Sequence, residues 1–399
     1  MPKDAGIGGC DPISVRIFDG GRHVGSSGYG ELARSLIRAL AARPSLRIMV
    51  SRPSAPFQAG IRYAEEIERL YAENGADDFD IELHVSPPPF PGPRTRPAVF
   101  YTQNALGGLI ADWAVSLRHA DSVVVPGEFD LAVFEKHHPH VYTCHQHVDE
   151  ETFAPRRRFR NEGPDATSFL FVGSYSYRKG VDILLREFAK TFRPWQRAHL
   201  HLHCFSGLEG SNVSHLLDRV RDFPRNVTVS AFAGSVSPEW MARIIARYDV
   251  VVSFSRGEGW CMPLHEGLLC RKYVVCPDST AMGEMLPEDG VFKVPVTTGR
   301  IDEISDPFGE SMRRKYGEPG NFMWEVEPEA ARAALRQAHA AVRRSPMASE
   351  AGRRFIVESY SLESMGERIE SIIRRTLRRA ERSGPPFILG RLRGRGVYR

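Results

Sequence analysis

No run of eighteen consecutive apolar residues occurs in this 399-residue chain, so no segment reads as a membrane-crossing helix. The opening MPKDAGIGGCDP lacks the apolar core of an export signal, and the expected location is therefore cytoplasmic. Cysteine is sparse. Cys10, Cys144, Cys204, Cys261, Cys270 and Cys276 include no Cys-x-x-Cys pair, which argues for reduced thiols rather than a zinc site or a disulfide framework. A strong net charge is also missing, since the total is only +4. From Arg374 to Arg399, however, nine arginines face one acid, Glu381, a surplus of +8 that leaves −4 on the rest of the chain. The body thus lacks the charge signature of a nucleic-acid partner, and the tail is either merely solvated or makes weak contact with an anionic membrane surface.

With 42% hydrophobic and 26% charged residues, the chain reads as globular and too long for one ordinary core. Strands are expected at Ser14 to Phe18, Leu46 to Val50, Ile81 to Val85, Ala98 to Thr102 and Ser122 to Val125. Helical patterns lie between them at Tyr29 to Leu40, Ile61 to Ala72, Leu109 to Ala120 and Phe129 to His137. The polar stretch RRRFRNEGPDAT, near residues 156–167, reads as a boundary. Beyond it the alternation resumes, with strands at Phe169 to Val172, His199 to Cys204, Val227 to Phe232, Val250 to Phe254 and Tyr273 to Cys276. Helices are expected at Val181 to Phe192, Val213 to Val220, Pro238 to Ala246 and Pro263 to Cys270, and the end of the chain is helical over Pro328 to Val342, Met347 to Ser359 and Leu362 to Arg379. Such alternation predicts parallel sheets covered on both faces, here as two Rossmann-like halves facing across a cleft.

The chemistry concentrates in residues 253–266, SFSRGEGWCMPLHE. An apolar strand leads through an Arg-Gly-Glu-Gly loop into a helix, whose first N–H groups lack intrahelical partners and favour an anion. Pro263 suits a helix start. Glu258 and Glu266 place one carboxylate on each side of that anion site, the layout of a ligand with hydroxyls at both ends and a diphosphate between. In GSYSYRKG, residues 173–180, Arg178 and Lys179 stand at a strand's carboxyl edge, where they could stabilise a leaving diphosphate. Gly25, Gly28 and Gly30 form a glycine-rich loop at the corresponding edge of the first half, where a plain tight turn is the competing reading. His199, His201 and His203 share one strand face but have no matched ligands downstream, and Asp78-Phe79-Asp80 sits in an acidic turn. Both are read as structural, as are His145 and His147. A dinucleotide oxidoreductase is disfavoured, because the second strand ends in Ser51-Arg52 rather than the acid that would hold a ribose.

The segments FLFVGSYSYRKGVDILLREF, SRGEGWCMPLHEGLLC and HVDEETFAP, with the Glu-x7-Glu spacing of Glu258 and Glu266, resemble the retaining glycosyltransferases of GT-B fold related to sucrose and glycogen synthases. The resemblance implies an acceptor-side domain over residues 1–160 and a nucleotide-sugar domain over 161–360. A cross-over helix at 361–380 would return towards the first domain, followed by a basic tail at 381–399. It implies transfer of a sugar from a nucleotide-diphosphate sugar to an acceptor hydroxyl with retention, without metal or cofactor. Glu258 would hold donor-sugar hydroxyls and Glu266 the ribose. Lys179 and Arg178 would hold the diphosphate, the amides of Gly259, Trp260, Cys261, Met262 and Leu264 would face sugar and phosphates, and the loop at Gly28 would close over them. Two departures stand out: Ser174 replaces an arginine, part of whose work would pass to Arg178, and Gln103-Asn104 replaces a first-half histidine. An epimerase or phosphorylase on the same fold, and an inactive nucleotide-sugar scaffold, are the alternatives.

Overall fold

The computed structural model describes residues 11–71, 78–92, 94, 96–156, 166–205 and 223–383. Cys10, the expected helix at Val213 to Val220, most of the boundary stretch and the tail beyond Ser383 lie outside the described residues.

Six parallel strands form the first sheet: β1 (Ile13–Phe18), β2 (Leu46–Val50), β3 (Ile81–Val85), β4 (Ala98–Tyr101), β5 (Ser122–Val125) and β6 (Val141–Thr143), in spatial order β2-β1-β3-β4-β5-β6. β3, β4 and β5 are buried along their whole length, as interior strands covered by helices on both faces should be. The second sheet is also parallel, with β7 (Ala166–Ser174), β8 (Arg197–Phe205), β9 (Val227–Ala233), β10 (Val250–Val252), β11 (Tyr273–Pro277) and β12 (Val291–Val294) in the order β12-β11-β10-β7-β8-β9.

In both sheets the strand order reverses about the first strand, β1 or β7. Ligands of open α/β sheets bind outside the carboxyl ends of the strands flanking such a switch point. In the second sheet those strands are β7 and β10, so the two loops singled out by residue type, 173–180 and 253–261, leave adjacent strands at the switch. In the first sheet the glycine-rich loop leaves β1 and ends at Ser27, whose side chain accepts the Gly30 N–H and caps the helix Gly28–Ala41.

The last helix, Leu362–Ser383, returns to the first half. Met365, Ile369, Ile372, Ile373 and Leu377 enter the core of the first sheet, while Gly366 lies against the Ala39 carbonyl. Burying each of those large side chains stabilises this docking by about 1.5–3 kcal/mol.

Several boundaries differ from the sequence expectation. The helix expected over Ile61 to Ala72 shrinks to Ala64–Glu68, started by Tyr63 in the left-handed region at φ 65°. The one expected from Leu109 begins only at Ala111, because the Asn104 side chain donates to the Leu106 and Gly108 carbonyls and holds that stretch as a loop. The helix expected to open at Pro263 spans Met262–Leu269, so Pro263 is its second residue. An element without expectation is the antiparallel hairpin of β13 (Val296–Arg300) and β14 (Phe322–Val326), with the helix Glu310–Tyr316 between them. This arm crosses to the first half. Ile301, Ile304, Met312 and Met323 close around Leu106, Gly107 N–H donates to the Phe322 carbonyl at 2.9 Å, and Ala111 N–H donates to Glu318 Oε2 at 2.7 Å.

Candidate active site

The two switch-point loops are laced together. Arg256 N–H donates to the Arg178 carbonyl at 2.6 Å, and Ser255 Oγ reaches the same oxygen at 3.1 Å. Gly180, at φ 65°, lets the first loop pass the Phe254 carbonyl, a place where any Cβ would overlap that oxygen.

This lacing sets Glu258 between two cations. Lys179 Nζ donates to Glu258 Oε1 at 2.6 Å, and Arg178 Nη1 lies 3.2 Å from Oε2 and 2.8 Å from the Gly257 carbonyl. Burial pushes the Glu258 carboxyl up, but Lys179 and Arg178 pull it further down, to about 2. Its backbone is pinned as well, since Glu258 N–H donates to Thr280 Oγ1 at 3.3 Å and its carbonyl accepts Ala281 N–H.

Glu266 has the opposite environment. Its side chain is buried, makes no hydrogen bond or ion pair among the described residues, and is pushed up to about 8 by burial first, then by Glu31 and Asp149. Glu31 lies in the first turn of the helix that begins at Gly28, so a carboxylate of the first half helps to raise Glu266. Gly28 itself is exposed, with open space where a Cβ would stand.

Between the two glutamates, Cys261 caps the helix in a left-handed conformation at φ 60°. No described residue accepts the backbone N–H of Gly259, Trp260 or Cys261, which leaves consecutive donors at a helix start. The side chains behave differently. Trp260 stacks on His265 with ring centroids 4.3 Å apart and meets Tyr360 edge-on, so it belongs to the core, and Cys261 and Leu264 are buried there too. The Leu264 N–H, by contrast, donates to the Cys261 carbonyl at 3.1 Å.

The residues at the departures have other partners. Ser174 Oγ shares a hydrogen bond with Ser176 Oγ. Gln103 Oε1 accepts from Gln146 Nε2 at 2.8 Å. His145 pairs through Nδ1 with the Pro126 carbonyl and His147 with that of Tyr360, while His199 and His201 pair with Thr228 and Ser230. Asp80 Oδ2 accepts the Ser14 N–H. The five described cysteines are free and buried.

Two residues without an assigned role prove central. Arg256, 3% exposed, forms a fork to both oxygens of Asp182 at 2.8 and 2.9 Å, bonds Glu325 Oε1 at 2.5 Å and the Tyr177 carbonyl, and lies over the Tyr177 ring. One side chain therefore ties the Glu258 loop to the Arg178-Lys179 turn and to the arm. Asp130 is the other, a buried carboxyl beside Gly259. The only sequence signal for either was position: Arg256 inside the loop and Asp130 just after β5.

The halves meet at this site. A Cβ on Gly257 would overlap the Ala105 carbonyl, and one on Gly259 would stand 2.7 Å from Gln103 Cβ and 2.8 Å from the Asn104 carbonyl oxygen.

Comparison with known proteins agrees with this architecture. Residues 166–307 match the family described as Glycosyl transferases group 1. A 123-residue stretch is 28% identical to the serotype-specific mannosyltransferase WbdA of Escherichia coli, covering 31% of this chain and 15% of that protein, so the match spans only a small part of the curated relatives. Sucrose-phosphate synthase from Thermosynechococcus elongatus superposes with a TM-score of 0.63 at 14% identity, over 91% of this chain and 98% of its own. HepE of Anabaena, solved with UDP, gives a TM-score of 0.59 at 13% identity over 91% and 100%. The chain has the GT-B fold, and the family match falls on its second half, over residues 166–307.

Proposed function

We propose that the chain transfers a glycosyl group from a nucleotide-diphosphate sugar to an acceptor hydroxyl with retention at the anomeric carbon. The observation that carries this reading is the Lys179–Glu258–Arg178 cluster beside unpaired loop amides at the switch point. In this reaction the bond from the anomeric carbon to the phosphate oxygen breaks and a bond to the acceptor oxygen forms on the same face, while the acceptor proton passes to the departing phosphate. Lys179, Arg178 and the helix start at Met262 offset the charge that grows on the diphosphate, the task a divalent cation performs in other transferases. Glu258, ionised across the neutral range, would accept from donor-sugar hydroxyls, and Glu266 would meet the ribose. No cofactor takes part, and the nucleotide sugar is substrate. Positioning and electrostatic stabilisation carry the rate.

UDP- and GDP-sugars are the donors to screen by thermal shift, with UDP-bound HepE favouring a UDP-sugar and the mannosyltransferase relative favouring a mannosyl donor. Turnover with candidate acceptors then follows, with the product's anomeric configuration read by NMR. An inverted product would sink the stereochemical part. Consumption without acceptor would instead favour epimerase or phosphorylase chemistry. Undiminished transfer by Glu258→Ala would remove the assigned role of that carboxylate.

A further inference from the structure

Asp130 is a buried carboxyl with no place in the mechanism above. It is 1% exposed, and its Oδ1 accepts the Asn104 N–H at 3.1 Å. Its Oδ2 is fully buried and has no hydrogen-bond partner among the described residues. No cation pairs with it there either. A buried acceptor left unpaired is costly, and in a native protein it marks a missing partner.

The direction of Oδ2 indicates where that partner belongs. A Cβ on Gly259 would stand 3.2 Å from it, so the oxygen faces the loop between Glu258 and the unpaired N–H groups of Gly259 and Trp260. Acceptors from the first half thus oppose donors from the second across a seam with no hydrogen bond between these groups. Burial, and to a lesser degree the neighbouring Glu284, push the Asp130 carboxyl well above the usual carboxylate range against the pull of the Asn104 N–H. A hydroxyl suits either protonation state, since it both donates and accepts.

We infer that Asp130 binds a hydroxyl of the transferred sugar from the first half, beside Gln103 and Asn104, when the halves part enough to admit the donor. This rests on the glycosyl-transfer reading. Asp130 is then a donor-specificity residue that acts on the sugar rather than on the nucleotide.

The test compares wild type with Asp130→Leu and Asp130→Asn for bare UDP or GDP binding, for kcat/KM with the nucleotide sugar that the donor screen selects, and for thermal stability. Expected is a loss of ten-fold or more in kcat/KM for Asp130→Leu, with bare nucleotide affinity kept and a melting temperature at or above wild type. Asp130→Asn, which still offers an acceptor and a donor, should recover part of that loss. One deoxygenated donor should be a poor substrate for wild type yet be used as well as the parent donor by Asp130→Leu. A kcat/KM within two-fold of wild type, or a parallel loss of bare nucleotide binding, would overturn the inference. Should Asp130→Leu not fold, wild type decides: equal use of every deoxygenated donor overturns it, and selective rejection of one, reduced in Asp130→Asn, supports it. If wild type binds no nucleoside diphosphate and consumes no nucleotide sugar, the glycosyl-transfer reading itself fails, and this inference with it.

Discussion

Glu258 and Glu266 carry the same side chain in one short loop-helix segment, yet they end in opposite electrical states, about 2 and about 8. The difference comes from neighbours: two cations beside one, burial and two carboxylates around the other. For Glu258 the folded value lies below the unfolded one, so its stabilisation is complete above the ordinary carboxylate range and lost only as pH falls towards 2. For Glu266 the folded value is raised. The folded protein keeps a proton that the unfolded chain releases, and stability falls as pH rises from about 5 to 8, by at most about 1.4 kcal/mol per unit. Glu266→Gln should flatten that decline, measured as unfolding free energy against pH; an unchanged slope would contradict a protonated Glu266. Lys179→Met should lower kcat at saturating donor by about 10²–10³-fold, the effect of removing one preorganised donor to a growing negative charge. Steady-state kinetics checks it, and a loss confined to KM would assign Lys179 to uniform binding instead.

At the scale of elements, strand-loop-helix alternation was legible because interior parallel strands read as apolar runs, as Val250–Val252 does. The β13–β14 arm was not legible. Its strands are only half-buried, so they lack both the apolar run of a buried strand and a clean alternation. Its importance lies in what it touches, since Glu325 bonds Arg256 and Trp324 N–H donates to the Arg256 carbonyl. Arg256→Met should destabilise the protein by about 3–5 kcal/mol, because it leaves Asp182 buried without its cation. A shift of the urea midpoint at constant m-value would show this, and a shift of less than a third of that size would mean that Asp182 finds another partner.

Across the whole molecule, the halves join through the returning helix Leu362–Ser383 on one side and through the arm and the Gly257–Gly259 seam on the other. Gly257→Ala places a methyl group where the Ala105 carbonyl now sits. The seam must then part, so the variant should keep its far-UV dichroism but show a larger radius of gyration by small-angle scattering and reduced transfer. A larger radius with full turnover would mean that the closed seam is not the state in which the protein works, and an unchanged radius would mean that the seam absorbs the methyl group.

What the sequence determined by itself is local. A strand meeting a loop meeting a helix, with glutamates on either side and a basic turn one switch away, is written within short windows where neighbouring residues set the backbone. Only the tertiary structure decided which Glu258 contacts form, that the Leu264 amide is already bonded, that burial raises Glu266, and that Asp130 faces Gly259. Each of these depends on residues brought together from distant parts of the chain, where burial and the sign of neighbouring charge, rather than local propensity, set the outcome.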